Sequence, residues 1–136
     1  MYPGVTVRLV EDEPVVTFTR FQFRMGMSID ENLDALYEAL DCDLVEIVPV
    51  TIAGREYFIF CDESGKLKPW VPTYPLYDEA GECCDVIASN FVVVKVDAQE
   101  NFLQMSVQEF AEIEEHLRTM VPRAAKEVRK KKASMR

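Results

Sequence analysis

The chain has 136 residues, of which 49% are hydrophobic and 29% charged. That balance excludes a disordered chain and is enough for one domain with its own core, without a metal or a disulfide to hold it. Acids outnumber bases 24 to 15, for a net charge of −9, and such a field works against nucleic acids and nucleotide phosphates unless a local basic pocket intervenes.

The charge is uneven. Residues 123–136 hold seven of the basic residues and one acid, a local charge of +6, which leaves −15 for residues 1–122. We therefore expect a single domain over 1–121 and a basic C-terminal tail over 122–136, a frayed helix or disordered, that is able to meet an anionic partner. Apolar runs such as Phe91-Val92-Val93-Val94 are too short to span a membrane. No basic, apolar leader follows Met1, so the expected location is the cytoplasm.

In chain order, Val5–Val10 alternates with β-branched residues and reads as a strand. Glu11-Asp12-Glu13-Pro14 turns the chain, and Val15–Phe23 returns as a second strand. Val16 and Phe18 share one face, Phe21 and Phe23 the other, so a bulge near Thr19-Arg20 is expected. Residues 28–41 read as a helix. Ser28 and Glu31 form a capping box, and Ile29, Leu33, Leu36, Tyr37 and Leu40 make an apolar stripe.

Leu44–Ile52 and Arg55–Cys61 read as a hairpin about Ala53-Gly54, with Gly54 taking the positive φ of the turn. Pro49 cannot donate to a ladder, so its strand should lie at an edge or carry a bulge. Residues 66–82 hold three prolines and read as an irregular loop. Asp85–Val96 reads as one long central strand, kinked at Ser89-Asn90. A second capping box, Ser106 and Glu109, opens a helix striped by Val107, Phe110, Ile113, Leu117 and Met120. Pro122 should end that helix or start a new one. The expected fold is α+β, a mainly antiparallel sheet of about five strands packed by two amphipathic helices.

Three stretches together resemble a known family. They are Val45-Glu46-Ile47-Val48-Pro49-Val50, Asp62-Glu63-Ser64-Gly65-Lys66-Leu67 before a proline loop, and Asp85-Val86-Ile87-Ala88-Ser89-Asn90 before valines. They are similar to the "IEVVP", "DEEGKL" and "DVIVGN" stretches of the domain of unknown function 3846 family. The resemblance covers about residues 28–120. It implies a small phage or mobile-element protein working in a bacterial host's cytoplasm, and it implies no reaction.

No catalytic set is legible. His116, the one histidine, reads as an exposed helix residue four positions after Glu112, and the five glycines are too scattered for a phosphate loop. The four cysteines, Cys42, Cys61, Cys83 and Cys84, lack zinc spacing, so neither a metal nor a cofactor is expected. Cys42 and Cys61 read as structural thiols. Alternation puts one of Cys83 and Cys84 inside and the other outside. The candidate binding residues are Trp70, Tyr74 and Tyr77 of the proline loop, with Lys68 and Asp62 beside them. Stiff aromatic rings offer contact area at low entropic cost.

These features point to a non-enzymatic accessory protein that binds a host or phage protein, or a small ligand, alone or as a homodimer. The alternatives are an acidic DNA-mimicking decoy, and a small enzyme or binder for a nucleotide-type metabolite.

Overall fold

A computed structural model of the protein describes residues 4–11, 13–18, 23–64 and 71–134. The expected bulge at Thr19-Arg20 lies outside these residues.

Two hairpins frame the main sheet. β1 (Val5–Val10) pairs antiparallel with β2 (Glu13–Phe18). β3 (Val45–Ile52) pairs antiparallel with β4 (Arg55–Asp62), from Val45 opposite Asp62 to Ile52 opposite Arg55. Their two-residue turn has φ of 52° at Ala53 and 77° at Gly54. Two consecutive positive φ values give the turn whose twist suits a hairpin. Between the hairpins runs β7 (Phe91–Val96), antiparallel to both β1 and β4. The order is β2-β1-β7-β4-β3, and the short β8 (Phe102–Leu103) pairs with the end of β7. The four residues Phe91–Val94 are fully buried, as a central strand covered on both faces requires. Both outer strands carry a proline, Pro14 in β2 and Pro49 in β3.

The fold is α+β, as expected, but it has more strands than the sequence suggested. The segment 66–82 is not all loop. Pro72–Tyr77 forms β5, which pairs antiparallel with β6 (Cys83–Ala88) in a separate two-stranded sheet. Prolines hold their neighbours extended, which excludes a helix but permits a ribbon with bulges. The register slips between Pro72 and Tyr74 and again between Leu76 and Tyr77. At the first slip the buried Thr73 sets its hydroxyl 2.7 Å from the Ser89 carbonyl and 3.1 Å from that of Ile87. The expected single strand over 85–96 is therefore two strands in different sheets. Ser89, at φ 67°, breaks it.

The two faces of the main sheet are covered unequally. On one face lies α2 (Val107–Ser134), with the β5–β6 ribbon packed along it. The Ser106–Glu109 capping box forms. The Glu109 amide donates to Oγ of Ser106 at 3.1 Å, and the Ser106 amide donates to the Glu109 carboxylate at 3.1 Å. Phe110, Ile113, Leu117, Val121 and Ala124 are buried. A fully buried side chain of this size contributes roughly 1.5–3 kcal/mol. Pro122 does not end the helix, which continues through it to Ser134. Its exposed position keeps the ring out of the packed face.

On the opposite face lies a short helix, α1 (Leu33–Leu40), entered through a 3-10 turn over Asp30–Asn32, with Phe23 and Ile29 buried in the same cluster. The Ser28–Glu31 capping box forms here too. The helix ends at Asp41, whose φ is 53°. Its last carbonyls are taken by side chains, since Arg8 donates to Ala39 and Asn90 donates to Leu40 at 3.3 Å. Leu36, Ala39 and Leu40 cover Phe60, Val92, Val94 and Phe102.

Candidate functional site

Eight residues of helix cannot cover a face eight residues tall. Cross-strand partners point to the same side of a sheet, so on the α1 side three rows follow one another. Ile47 lies beside Phe60 and Val92, Pro49 beside Phe58 and Val94, and Thr51 and Glu56 beside the end of β7. α1 closes over the inner part of these rows. Pro49 stays exposed, Ile47 is 43% exposed, and Phe58 and Val96 are half-buried.

The result is a groove of about 530 Å³, floored by Pro49, Phe58 and Val96. The turn from Asp97 to Glu100 forms one wall. That turn is held by Asp97, whose carboxylate accepts the amides of Gln99 and Asn101, both at 2.9 Å. The Asn101 and Gln99 amides hold the Asp97 carboxyl below its usual range, against a smaller opposing effect of desolvation. Glu56 and Glu100 stand exposed at the rim. The groove thus joins an apolar floor to an acidic margin, which suits an apolar side chain carried between cations.

The opposite face holds a buried charge cluster. Glu109 is 5% exposed, and its carboxylate lies 2.9 Å from Lys95, 3.4 Å from the Tyr57 hydroxyl and 3.8 Å from Arg55. Arg55 also approaches Glu112 at 3.7 Å. Burial works to raise the Glu109 pKa, but the Lys95 and Ser106 hydrogen bonds outweigh it and bring it down to about 2. Burial, then the Glu109 charge, pushes the Tyr57 hydroxyl up to about 12. Glu109 therefore caps α2 and anchors it to β4 and β7. Its role in the cap was legible in the sequence, whereas its ion pairs were not.

Of the residues expected to bind, Tyr74, Tyr77 and Asp62 are described. Lys68 and Trp70 lie outside the described residues. Tyr74 is 5% exposed, packed edge-on against Phe91, with its hydroxyl 2.8 Å from Nε2 of His116. Burial pushes that hydroxyl up to about 12. Tyr77 is half-buried and donates to Glu127 at 3.3 Å. The two tyrosines thus tie the β5–β6 ribbon to α2. Asp62 is 8% exposed and accepts the Ser64 amide at 2.9 Å, so it caps the turn after β4.

His116 is half-buried rather than exposed. Burial, then the nearby Arg123 charge, lowers its pKa. Cys61 is buried and Cys42 half-buried, while Cys83 is half-buried and Cys84 exposed, and none of the four is in a disulfide. Among the described residues, no group of three or more His, Cys, Asp and Glu side chains is arranged to hold a metal ion, and no helix is long and apolar enough to cross a membrane.

A family model described as Domain of unknown function (DUF3846) matches residues 13–118. No curated protein and no solved structure matches the chain. The matched region takes in both capping boxes, the whole of β3 and β4 and the walls of the groove, and the chain belongs to the DUF3846 family.

Proposed function

We propose that this chain is a non-catalytic binding protein, carried by a phage or mobile element, that holds a segment of a partner protein in the groove beside α1. The observation that carries the reading is the half-covered sheet face. Its apolar floor of Pro49, Phe58 and Val96 lies inside a margin that includes Glu56 and Glu100. The segment that fits is apolar at its centre and flanked by lysine or arginine. Apolar burial supplies most of the affinity, and the acidic margin supplies rate and selectivity. The mobile-element setting rests on the resemblance of its motifs alone.

Calorimetric titration tests this with short peptides of one apolar core and basic, neutral or acidic flanks. The basic set should bind best, weaken in high salt and weaken further against Glu56→Lys with Glu100→Lys. Equal binding of all three sets, or indifference to those substitutions, rejects the groove as the site.

A further inference from the structure

We infer that one occupant of this groove is the basic end of α2 from a second copy of the chain. The inference rests on the groove being a docking site and names the partner segment.

α2 is unbroken to Ser134, so its charges are held in helical register. Among the described side chains of α2, Ala124 is the last that is buried. Arg123, Lys126, Arg129 and Lys130 are all exposed. At 3.6 residues per turn these four project from the side opposite Leu117, Val121 and Ala124. They span about 10 Å of helix axis. Glu127, the acid among them, is occupied by the Tyr77 hydroxyl at 3.3 Å and approached by Lys130 at 3.8 Å. The stripe therefore presents cations on aliphatic stems. Such stems can lie along Pro49 and Phe58 while their charged ends reach the carboxylates of Glu56 and Glu100.

The protein's own groove is out of reach. α2 packs on one face of the main sheet, and the groove opens on the other. The match of +6 on residues 123–136 with −15 on the rest is thus met between molecules. A groove this small gives an interface at the weak end of the range, so the contact is concentration-dependent and salt-sensitive. If two copies exchange ends reciprocally the assembly closes as a dimer, and otherwise it continues as a chain.

Sedimentation velocity on the full chain tests this at low and high salt over a wide concentration range. Wild type should gain mass with concentration at low salt and return to monomer at high salt. Lys126→Glu with Lys130→Glu reverses the stripe, and Glu56→Lys with Glu100→Lys reverses the rim. All four sites are exposed, and circular dichroism checks that both variants fold. Each variant alone should associate at least about tenfold more weakly, the scale of a lost charge pair of 1.4 kcal/mol. An equimolar mixture of the two should regain association, because each supplies the charge the other expects.

A wild type that stays monomeric, association that survives both reversals, or a mixture that fails to recover each overturns the inference. A monomeric wild type that still binds basic peptides leaves the partner-binding reading standing. Self-association with charge rescue but no binding of any other basic peptide has the opposite meaning.

Discussion

Lys95 of β7 places its Nζ 2.9 Å from Oε2 of Glu109, whose other oxygen, Oε1, accepts the Ser106 amide at the start of α2. One side chain thus caps the start of a helix and fastens it to the central strand.

Removing the lysine strands a buried carboxylate. Lys95→Met should cost about 2–4 kcal/mol, more than a surface pair is worth, because Glu109 loses its main compensation for burial. Chemical denaturation should show a lower midpoint with an unchanged slope. Glu109→Gln keeps the shape but weakens both cap and pair, and should cost less than Lys95→Met. If the two cost the same few tenths of a kcal/mol, the pair is ornamental.

Acid should attack the same contact. The Glu109 pKa falls from 4.5 to about 2 in the folded state. The unfolded chain therefore binds more protons between those values. The stabilisation is complete above about 4.5 and is lost as pH falls toward 2, with an upper limit of about 3 kcal/mol. Thermal melts across this window should fall more steeply for wild type than for Glu109→Gln.

The Tyr74–His116 bond predicts a second, milder dependence on pH. Burial and Arg123 lower the His116 pKa from 6.5, so the unfolded chain takes the proton first and stability declines as pH drops below about 6.5. His116 is the only histidine, so its ring proton NMR signals titrate without overlap. They should report a midpoint below 6.5 that moves upward in Arg123→Gln. Tyr74→Phe should cost about 1 kcal/mol, the net worth of one hydrogen bond.

Asn32 is expected to be among the most sensitive polar positions. It is 1% exposed. Its side-chain oxygen accepts the Arg24 amide at 2.6 Å, and its nitrogen lies 3.2 Å from the Arg24 carbonyl and 2.9 Å from that of Ser28. Asn32→Ala leaves these backbone groups without their partner and should cost roughly 2–3 kcal/mol. Asn32→Asp should do similar damage, because it replaces a donor with a charge facing two carbonyls. Hydrogen exchange should show the amide of Arg24 losing protection in both.

Ala53 offers the reverse case. It holds φ 52° in the β3–β4 turn, a conformation that costs an alanine about 1 kcal/mol and an asparagine less. Ala53→Asn should raise stability by about 0.5–1 kcal/mol and leave the groove's ligands unaffected. No gain in the melting midpoint would contradict this account of the turn.

How far the sequence reached follows from how local each feature is. The capping boxes at Ser28 and Ser106 and the turn at Ala53-Gly54 depend on residues within four positions of one another, and all three form as read. Ser89 defeats that kind of reading. It takes a left-handed conformation without being glycine, inside a run of apolar residues that otherwise resembles one strand. Tyr74 and His116, and likewise Lys95 and Glu109, meet only because β5 and β7 pack against α2, and no spacing announces such contacts. The groove is harder still to foresee. It exists because the β3–β4 hairpin runs on beyond the part of the face that the short α1 covers, which is a mismatch between elements rather than a motif.

The prolines at the two margins of the main sheet have a consequence for how copies can meet. A foreign strand adding to either margin would find a missing amide, at Pro14 on one side and Pro49 on the other. Lateral growth of the sheet into fibrils is thereby discouraged at both ends. Crowding this protein should produce contacts made by side chains, reversible on dilution, instead of backbone-templated aggregates.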